Sequence, residues 1–271
     1  MPELPEVETT RRGLAPLLEG QRIVAVRVHE RRLRWPLPRV FEDALVGCRI
    51  SAVERRAKYL LVAMDRGTLL IHLGMSGSLR TADPALSRRL HDHVEIELDS
   101  GRCLRFNDPR RFGSMHFIDG DPHQHPLLRA LGPEPLSDAF DAEYLHARTR
   151  GRRVAVKVLL MNAAIVVGVG NIYASEALFH AGVAPGRAAG RLTRDDTVRI
   201  VAAVRRVLSS AIKAGGTTLR DYINANGNPG YFRQKLYVYE RVDEACRNCA
   251  TPIRQRVQGQ RSTYWCPSCQ R

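Results

Sequence analysis

Apolar residues at Leu4, Val7, Leu14 and Leu18 fall on one helical face, and Gly20 is placed to stop that helix. Beyond it the period shortens to that of strands. Ile23 to Val28, Ile50 to Val53, Tyr59 to Ala63, Thr68 to Leu73, the alternating Val94, Ile96 and Leu98, then Cys103 to Phe106 and Ser114 to Ile118 predict a β-rich domain, packed as a sandwich. An Asp99-Ser100-Gly101 turn separates two of these strands, and the prolines and Gly-Pro pair of residues 123–135 suit a linker. The period then becomes helical. Ser137 or Asp138 caps a helix to Thr149, Val154 to Met161 continues it, Ile172 to His180 follows, and Thr193 to Asp196 opens a long helix ended by Gly215-Gly216. Thr217 to Tyr231, rich in Gly, Asn and Pro, reads as a mobile loop. The fold class is therefore α+β: an N-terminal β-sandwich with a leading helix over 1–135, a helical domain over 136–240, and a small C-terminal module over 241–271.

That module carries the strongest single signal in the chain. Cys246-x2-Cys249 and Cys266-x2-Cys269 are separated by residues 250–265, a spacing that predicts one tetrahedral zinc held by four thiolates. Ile253 to Val257 and Ser262 to Trp265 form the two strands of a hairpin between the knuckles, with Arg261 at its tip. Four thiolates leave no open position, so the zinc is structural.

Charge narrows the class of partner. The 271 residues hold 42 Lys+Arg against 28 Asp+Glu, a net +14, which favours a polyanion and a salt-sensitive encounter. Nucleic acid fits; a membrane surface lacks the basic amphipathic helix it needs, and no stretch approaches the ~20 apolar residues of a span. Only Lys58, Lys157, Lys213 and Lys235 interrupt an otherwise arginine-only supply of cations, so a retained lysine can mark a need for a compact ammonium. The N-terminus is acidic and Pro-interrupted, without the apolar core of a signal peptide. The expected compartment is the cytoplasm, where Cys48 and Cys103 stay reduced.

Candidate chemistry starts at Met1-Pro2-Glu3-Leu4-Pro5-Glu6. Removal of Met1, which the small ring of Pro2 permits, leaves a secondary amine beside a carboxylate: a nucleophile next to an acid/base. A frayed terminus is the bland alternative. Lys58 stands at the mouth of an apolar strand, either a solvated strand end or an active-site cation. His72 near the end of another is either a packing residue or a phosphate ligand. Two Gly-flanked turns present Met75 and the Arg110-Arg111-Phe112 run; they are either ordinary hairpin tips with a core-bound Phe or wedges for opening a duplex. Gly168-Val169-Gly170-Asn171 leads into a helix start, where backbone N–H groups suit a phosphate.

Met-Pro-Glu-Leu-Pro-Glu-Val-Glu-Thr, His72-Leu-Gly-Met-Ser-Gly-Ser78, Asp108-Pro-Arg-Arg-Phe-Gly113, Gly168-Val-Gly-Asn-Ile-Tyr173 and the four cysteines occur in the order in which bacterial formamidopyrimidine-DNA glycosylases carry them. The resemblance covers nearly the whole chain. It implies a bifunctional glycosylase and abasic-site lyase that removes oxidised purines (8-oxoguanine, formamidopyrimidines) from double-stranded DNA and acts on abasic sites. It further implies a helix-two-turn-helix in the 136–240 domain and a zinc finger over 241–271. By resemblance the catalytic set is Pro2, Glu3, Glu6, Lys58 and Arg261. The DNA-binding set is His72, Met75, His93, Arg111, Phe112, Lys157, Asn171, Tyr239 and Arg261, with Met75, Arg111 and Phe112 filling the void left by an extruded base. The protein is expected to be a monomer, associated with the bacterial nucleoid. Leu160-Met161-Asn162-Ala163 departs from the family, which carries an aspartate in this stretch. Two rival readings differ in kind: an endonuclease VIII-like enzyme for oxidised pyrimidines, disfavoured by Leu4 and the Arg111-Phe112 pair, and a zinc-ribbon DNA-binding protein without catalysis.

Overall fold

A computed structural model describes residues 2–216 and 236–271. The chain divides into two compact units, the described part of the first being 2–129 with 214–216 and that of the second 130–213 with 236–271.

The first unit opens with α1 (Leu4–Leu18), whose Leu4, Val7, Leu14 and Leu18 are buried as their spacing predicts. Two four-stranded antiparallel sheets follow. One has the order β1 (Ile23–Val28), β6 (Asp92–Leu98), β7 (Cys103–Asn107), β5 (Ser78–Ala82); the other β2 (Ile50–Arg56), β3 (Tyr59–Met64), β4 (Gly67–His72), β8 (Ser114–Ile118). Ile23, Val53, Leu60, Ile71, Ile96 and Phe106 of both sheets share one core with α1 and the short α2 (Phe41–Leu45). Burial of such side chains contributes roughly 1.5–3 kcal/mol each. Two elements escaped the sequence pattern. Strand β5 is Ser-Leu-Arg-Thr-Ala, with only Leu79 buried, and α2 is barely more than one turn.

The second unit is helical: α3 (Ala142–Thr149), α4 (Val156–Leu160), α5 (Asn171–Ala181) and α6 (Arg194–Lys213), with α6 packed on α3 and α5. Asp141, not Ser137 or Asp138, caps α3 through its carboxylate and Tyr144 N–H at 2.7 Å. The reason is tertiary: Arg205 of α6 donates to Ser137 O (2.9 Å) and Phe140 O (3.1 Å), which commits 137–140 to a non-helical turn. The Thr193/Asp196 box at the start of α6 forms as expected, with Thr193 N–H on Asp196 and Asp196 N–H on Thr193 Oγ1 at 2.9 and 3.1 Å. The C-terminal hairpin pairs β9 (Arg254–Gln258) with β10 (Arg261–Trp265) through Gly259 and Gln260, both at positive φ, the geometry of a two-residue type I′ turn. Removal of Met1 and the loop expected over 217–231 lie outside the described residues.

Candidate nucleic-acid interface

The N-terminal candidates are held by the helix they precede. Pro2, Glu3 and Glu6 are buried, and the Glu6 carboxylate accepts the Glu3 N–H at 2.9 Å in a reciprocal capping box. A side chain at Gly216 would come within 3.1 Å of the same carboxylate, so the Gly215-Gly216 turn closes over it. Glu6 is therefore occupied in building the start of α1, and Glu3 is fixed next to Pro2. One turn on, Glu8 accepts from Arg11, Arg12 and Arg55. Burial pushes its carboxyl up, but the hydrogen bonds from Arg11 and Arg12 and the charges of Arg11 and Arg55 outweigh that and hold it below the usual range. Arg55 also donates to Ala57 O at 2.9 Å, which fastens the tight β2–β3 turn to α1. Lys58 belongs to that turn, since Arg56 pairs with Tyr59 and Ala57 takes the left-handed conformation at φ 56°.

His72 ends β4 directly across from Tyr59, their rings 4.8 Å apart. Burial, then the charges of Lys58 and Arg34, depress its pKa to about 4, so the ring is neutral near pH 7. Gly74 N–H donates to Nδ1 at 3.0 Å, which puts the proton on Nε2.

The two candidate wedge loops leave the same end of neighbouring strands, because β4 pairs with β8 in the register His72 to Ser114. They approach so closely that a Cβ on Gly74 would lie 2.4 Å from Gly113 N, and one on Gly113 2.8 Å from His72 O. Asp108, completely buried, joins them: it accepts from Ser76 Oγ (3.1 Å), Gly113 N–H (2.7 Å) and Arg110 N–H (3.3 Å). His93 is buried, and its Nε2 lies 2.8 Å from Asp108 O. Its ring is thus tied to the start of the second loop through Asp108. Phe112 is 43% exposed, which excludes the core-bound alternative, and Met75 is half-buried on the adjoining tip. Of the two arginines, Arg110 stacks on the Phe112 ring at 4.8 Å, whereas Arg111 turns away at φ 55° and pairs with Glu30 at 3.2 Å. The guanidinium beside the Phe112 ring is therefore that of Arg110, while Arg111, of which void filling was expected, is paired with Glu30. Sequence reasoning missed Asp108, Ser76 and Arg110, although all three lie within the quoted motifs.

In the second unit Asn171 is the first residue of α5, preceded by Gly170 as N-cap and by Gly168 at φ 77°. Asn162, within the stretch that departs from the family, caps its turn by accepting from Ala164 N–H at 3.0 Å. Lys157 is neither solvated nor at the surface. It is 1% exposed, and its Nζ donates to Asn171 Oδ1 (2.6 Å), Thr263 Oγ1 (2.8 Å) and Ser262 O (2.9 Å). Arg261 is exposed at the hairpin tip. Tyr239 packs its ring on Tyr264 at 5.1 Å, and with Tyr237 and Val238 it donates its backbone N–H to the buried Glu176 carboxylate at 2.9 Å. Burial pushes the Glu176 carboxyl up, and those three donors pull it back only in part.

The four cysteine Sγ atoms lie within 4.8 Å of one another, with separations of 4.0, 3.5 and 3.4 Å for Cys246–Cys269, Cys249–Cys266 and Cys249–Cys269. Zn–S bonds of ~2.3 Å in a tetrahedron require sulfurs about 3.8 Å apart. Cys246, Cys249, Cys266 and Cys269 thus fit one structural zinc.

Three family profiles match the chain in order: the formamidopyrimidine-DNA glycosylase N-terminal domain over residues 1–115, the formamidopyrimidine-DNA glycosylase H2TH domain over 131–222, and a zinc finger found in FPG and IleRS over 243–271. A formamidopyrimidine-DNA glycosylase of Thioalkalivibrio sulfidiphilus (strain HL-EbGR7) is 59% identical over 271 residues, 100% of both chains. The crystal structure of MutM (Fpg) from Thermus thermophilus matches with a TM-score of 0.89 at 41% identity, covering 99% of this chain and 98% of that one. Lactococcus lactis Fpg in complex with DNA containing an abasic site matches with a TM-score of 0.92 at 31% identity, covering 99% of each chain.

Proposed function

Because the chain belongs to the formamidopyrimidine-DNA glycosylase family, we propose that it is a bifunctional DNA glycosylase and abasic-site lyase of base excision repair. Its substrates are oxidised purines, 8-oxoguanine and formamidopyrimidines, in double-stranded DNA. The observation that carries the reading is the start of α1, where the Glu3/Glu6 capping box fixes the buried Glu3 next in sequence to the buried Pro2. With Met1 removed, the Pro2 nitrogen is a secondary amine at a helix N-terminus. The helix dipole disfavours a cation there, so it promotes the neutral, nucleophilic form.

The amine attacks C1′ of the extruded nucleotide, forming the N–C1′ bond as the glycosidic bond breaks and the base leaves with a proton. Opening of the sugar ring, with a proton delivered to O4′, produces an iminium. The iminium acidifies the C2′ proton, and its loss expels the 3′ phosphate; a second elimination expels the 5′ phosphate. Glu3 moves these protons. Glu6 maintains the helix start, and Lys58 neutralises or orients phosphate. His72, Asn171 and Arg261 are phosphate ligands, and Arg261 reaches the DNA beside the extruded nucleotide. Met75, Arg110 and Phe112 fill the gap left by the base, with Arg110 in this role because it lies on the Phe112 ring. His93 and Asp108 hold those loops. The zinc module is structural, and the enzyme acts as a monomer on the nucleoid in the bacterial cytoplasm.

Borohydride added during turnover on an 8-oxoguanine duplex tests the mechanism. The expected result is a covalent protein–DNA complex joined at Pro2, with Met1 absent by mass spectrometry. An extension that blocks Pro2 abolishes cleavage but leaves DNA binding. A complex mapped to Lys58, or a blocked protein that still nicks DNA, overturns the mechanism; a protein that binds DNA and never forms an adduct is the non-catalytic zinc-ribbon reading.

A further inference from the structure

We propose that Lys157 is a positioning residue for DNA binding: its buried ammonium fixes the Asn171 amide with the oxygen inward and the NH2 outward. The same ammonium ties the start of α5 to the zinc hairpin immediately beside Arg261. The inference rests on the reading of Asn171 and Arg261 as phosphate ligands and assigns to Lys157 a part in how they are presented.

The chemistry of the ammonium settles the amide orientation. A lysine Nζ has donors and no lone pair, so the Asn171 atom 2.6 Å from it is the carbonyl oxygen. The Nδ2 donor is then the part of the amide left for an anion. Were the amide to turn over, it would present an acceptor to a phosphate, exchanging a hydrogen bond for repulsion. A neutral asparagine at a helix start has no intrinsic preference between the two, so a fixed charge behind it decides. Two further acceptors of Lys157, Ser262 O and Thr263 Oγ1, belong to β10, whose first residue is Arg261. One ammonium thus sets the spacing of two phosphate ligands that lie on different elements of the unit. Three acceptors converging on a point, in a site 1% exposed, accommodate a compact ammonium but not a planar guanidinium. This accounts for a lysine at 157 in a chain that otherwise draws its cations almost entirely from arginine.

The test compares wild type, Asn171→Ala, Lys157→Met and the double variant. Each is titrated against a duplex bearing a tetrahydrofuran abasic analogue over a range of salt concentrations, with zinc content and thermal unfolding recorded in parallel. Each single substitution is expected to weaken binding about tenfold near ~0.1 M salt, and Asn171→Ala, which removes an uncharged donor and no counterion-releasing cation, to leave the log–log salt slope as it is in wild type. The double variant is expected to lie within about twofold of Asn171→Ala, because Lys157 acts through the same contact. If Lys157→Met keeps the wild-type affinity, or the two losses multiply, Lys157 does not position Asn171 and the proposal fails alone. If Asn171→Ala leaves the affinity unchanged, the phosphate-ligand reading fails and takes this proposal with it. Should Lys157→Met lose zinc or unfold, Lys157→Gln, which keeps a shorter donor, is judged by the same criteria. Wild-type protein supplies an independent check: the Asn171 side-chain NH2 signals, identified by their loss in Asn171→Ala, must move when duplex is added, and unmoved signals overturn the proposed orientation.

Discussion

His72 shows how a residue's neighbours decide its chemistry. On an apolar strand a histidine reads equally as packing or ligand. Here burial together with the charges of Lys58 and Arg34 depresses its pKa to about 4, while the Gly74 N–H occupies Nδ1. The ring is a neutral donor through Nε2, suited to a phosphate oxygen without adding charge. The sign of the linkage follows from the depressed value. Above the unfolded value near ~6.5 both states are neutral; as pH falls from there towards 4 only the unfolded chain takes up the proton, so stability is lost across that window. An NMR titration is expected to leave the His72 ring neutral at pH 5.5, and His72→Gln should flatten the fall of stability between pH 6.5 and 4. Protonation of His72 at or above pH 6.5 would contradict this account. The depressed pKa was not legible in the sequence, because Lys58 and Arg34 act on the ring from other segments. The adjacent arginines teach the same lesson: which of Arg110 and Arg111 accompanies Phe112 depends on the backbone turn at 111, and both carry the same side chain.

Elements were more legible than their pairing. Alternation marked most strands of the first unit and the 3.6-residue period marked α1 and α6, since those signals record which face meets the core. It could not show that β4 lies against β8, residues 67–72 against 114–118, and it is this pairing that brings the Met75 and Phe112 loops together. Asp108 then knits them. Asp108→Ala leaves the Gly113 N–H and the Ser76 hydroxyl without their acceptor, at a cost of about 2–3 kcal/mol of stability. A loosened wedge should slow excision from a paired lesion more than cleavage of a preformed abasic site, which has no base to extrude. Single-turnover rates on the two substrates, measured below the variant's lowered melting temperature, check this. Equal losses on both would reduce Asp108 to a general stabiliser.

At the scale of the molecule, charge and cysteine spacing were legible without any contact being known: +14 calls for a polyanion, and two CxxC knuckles call for zinc. What composition could not reveal is how small the apolar core of the C-terminal module is among the described residues. Its buried cluster is Phe179, Val238, Cys246, Ile253, Tyr264 and Cys266, with Tyr237, Tyr239 and Cys269 packed against it; three of these nine are zinc ligands and one belongs to α5. Most of β9 is exposed. So small a core cannot offset the entropy of ordering the hairpin, whereas zinc binding in such modules contributes on the order of 10 kcal/mol to folding. The first unit, with a shared core across two sheets, has no such dependence. Chelation, or Cys249→Ser, is therefore expected to unravel the hairpin that carries Arg261 and receives the Lys157 ammonium, and to abolish duplex binding. The β-sandwich should keep its cooperative unfolding transition. Metal analysis should return one zinc per chain in the untreated protein, and restoring zinc should restore binding. A protein that is isolated without zinc, or that binds duplex undiminished after chelation, would show that the hairpin is held by its protein contacts alone.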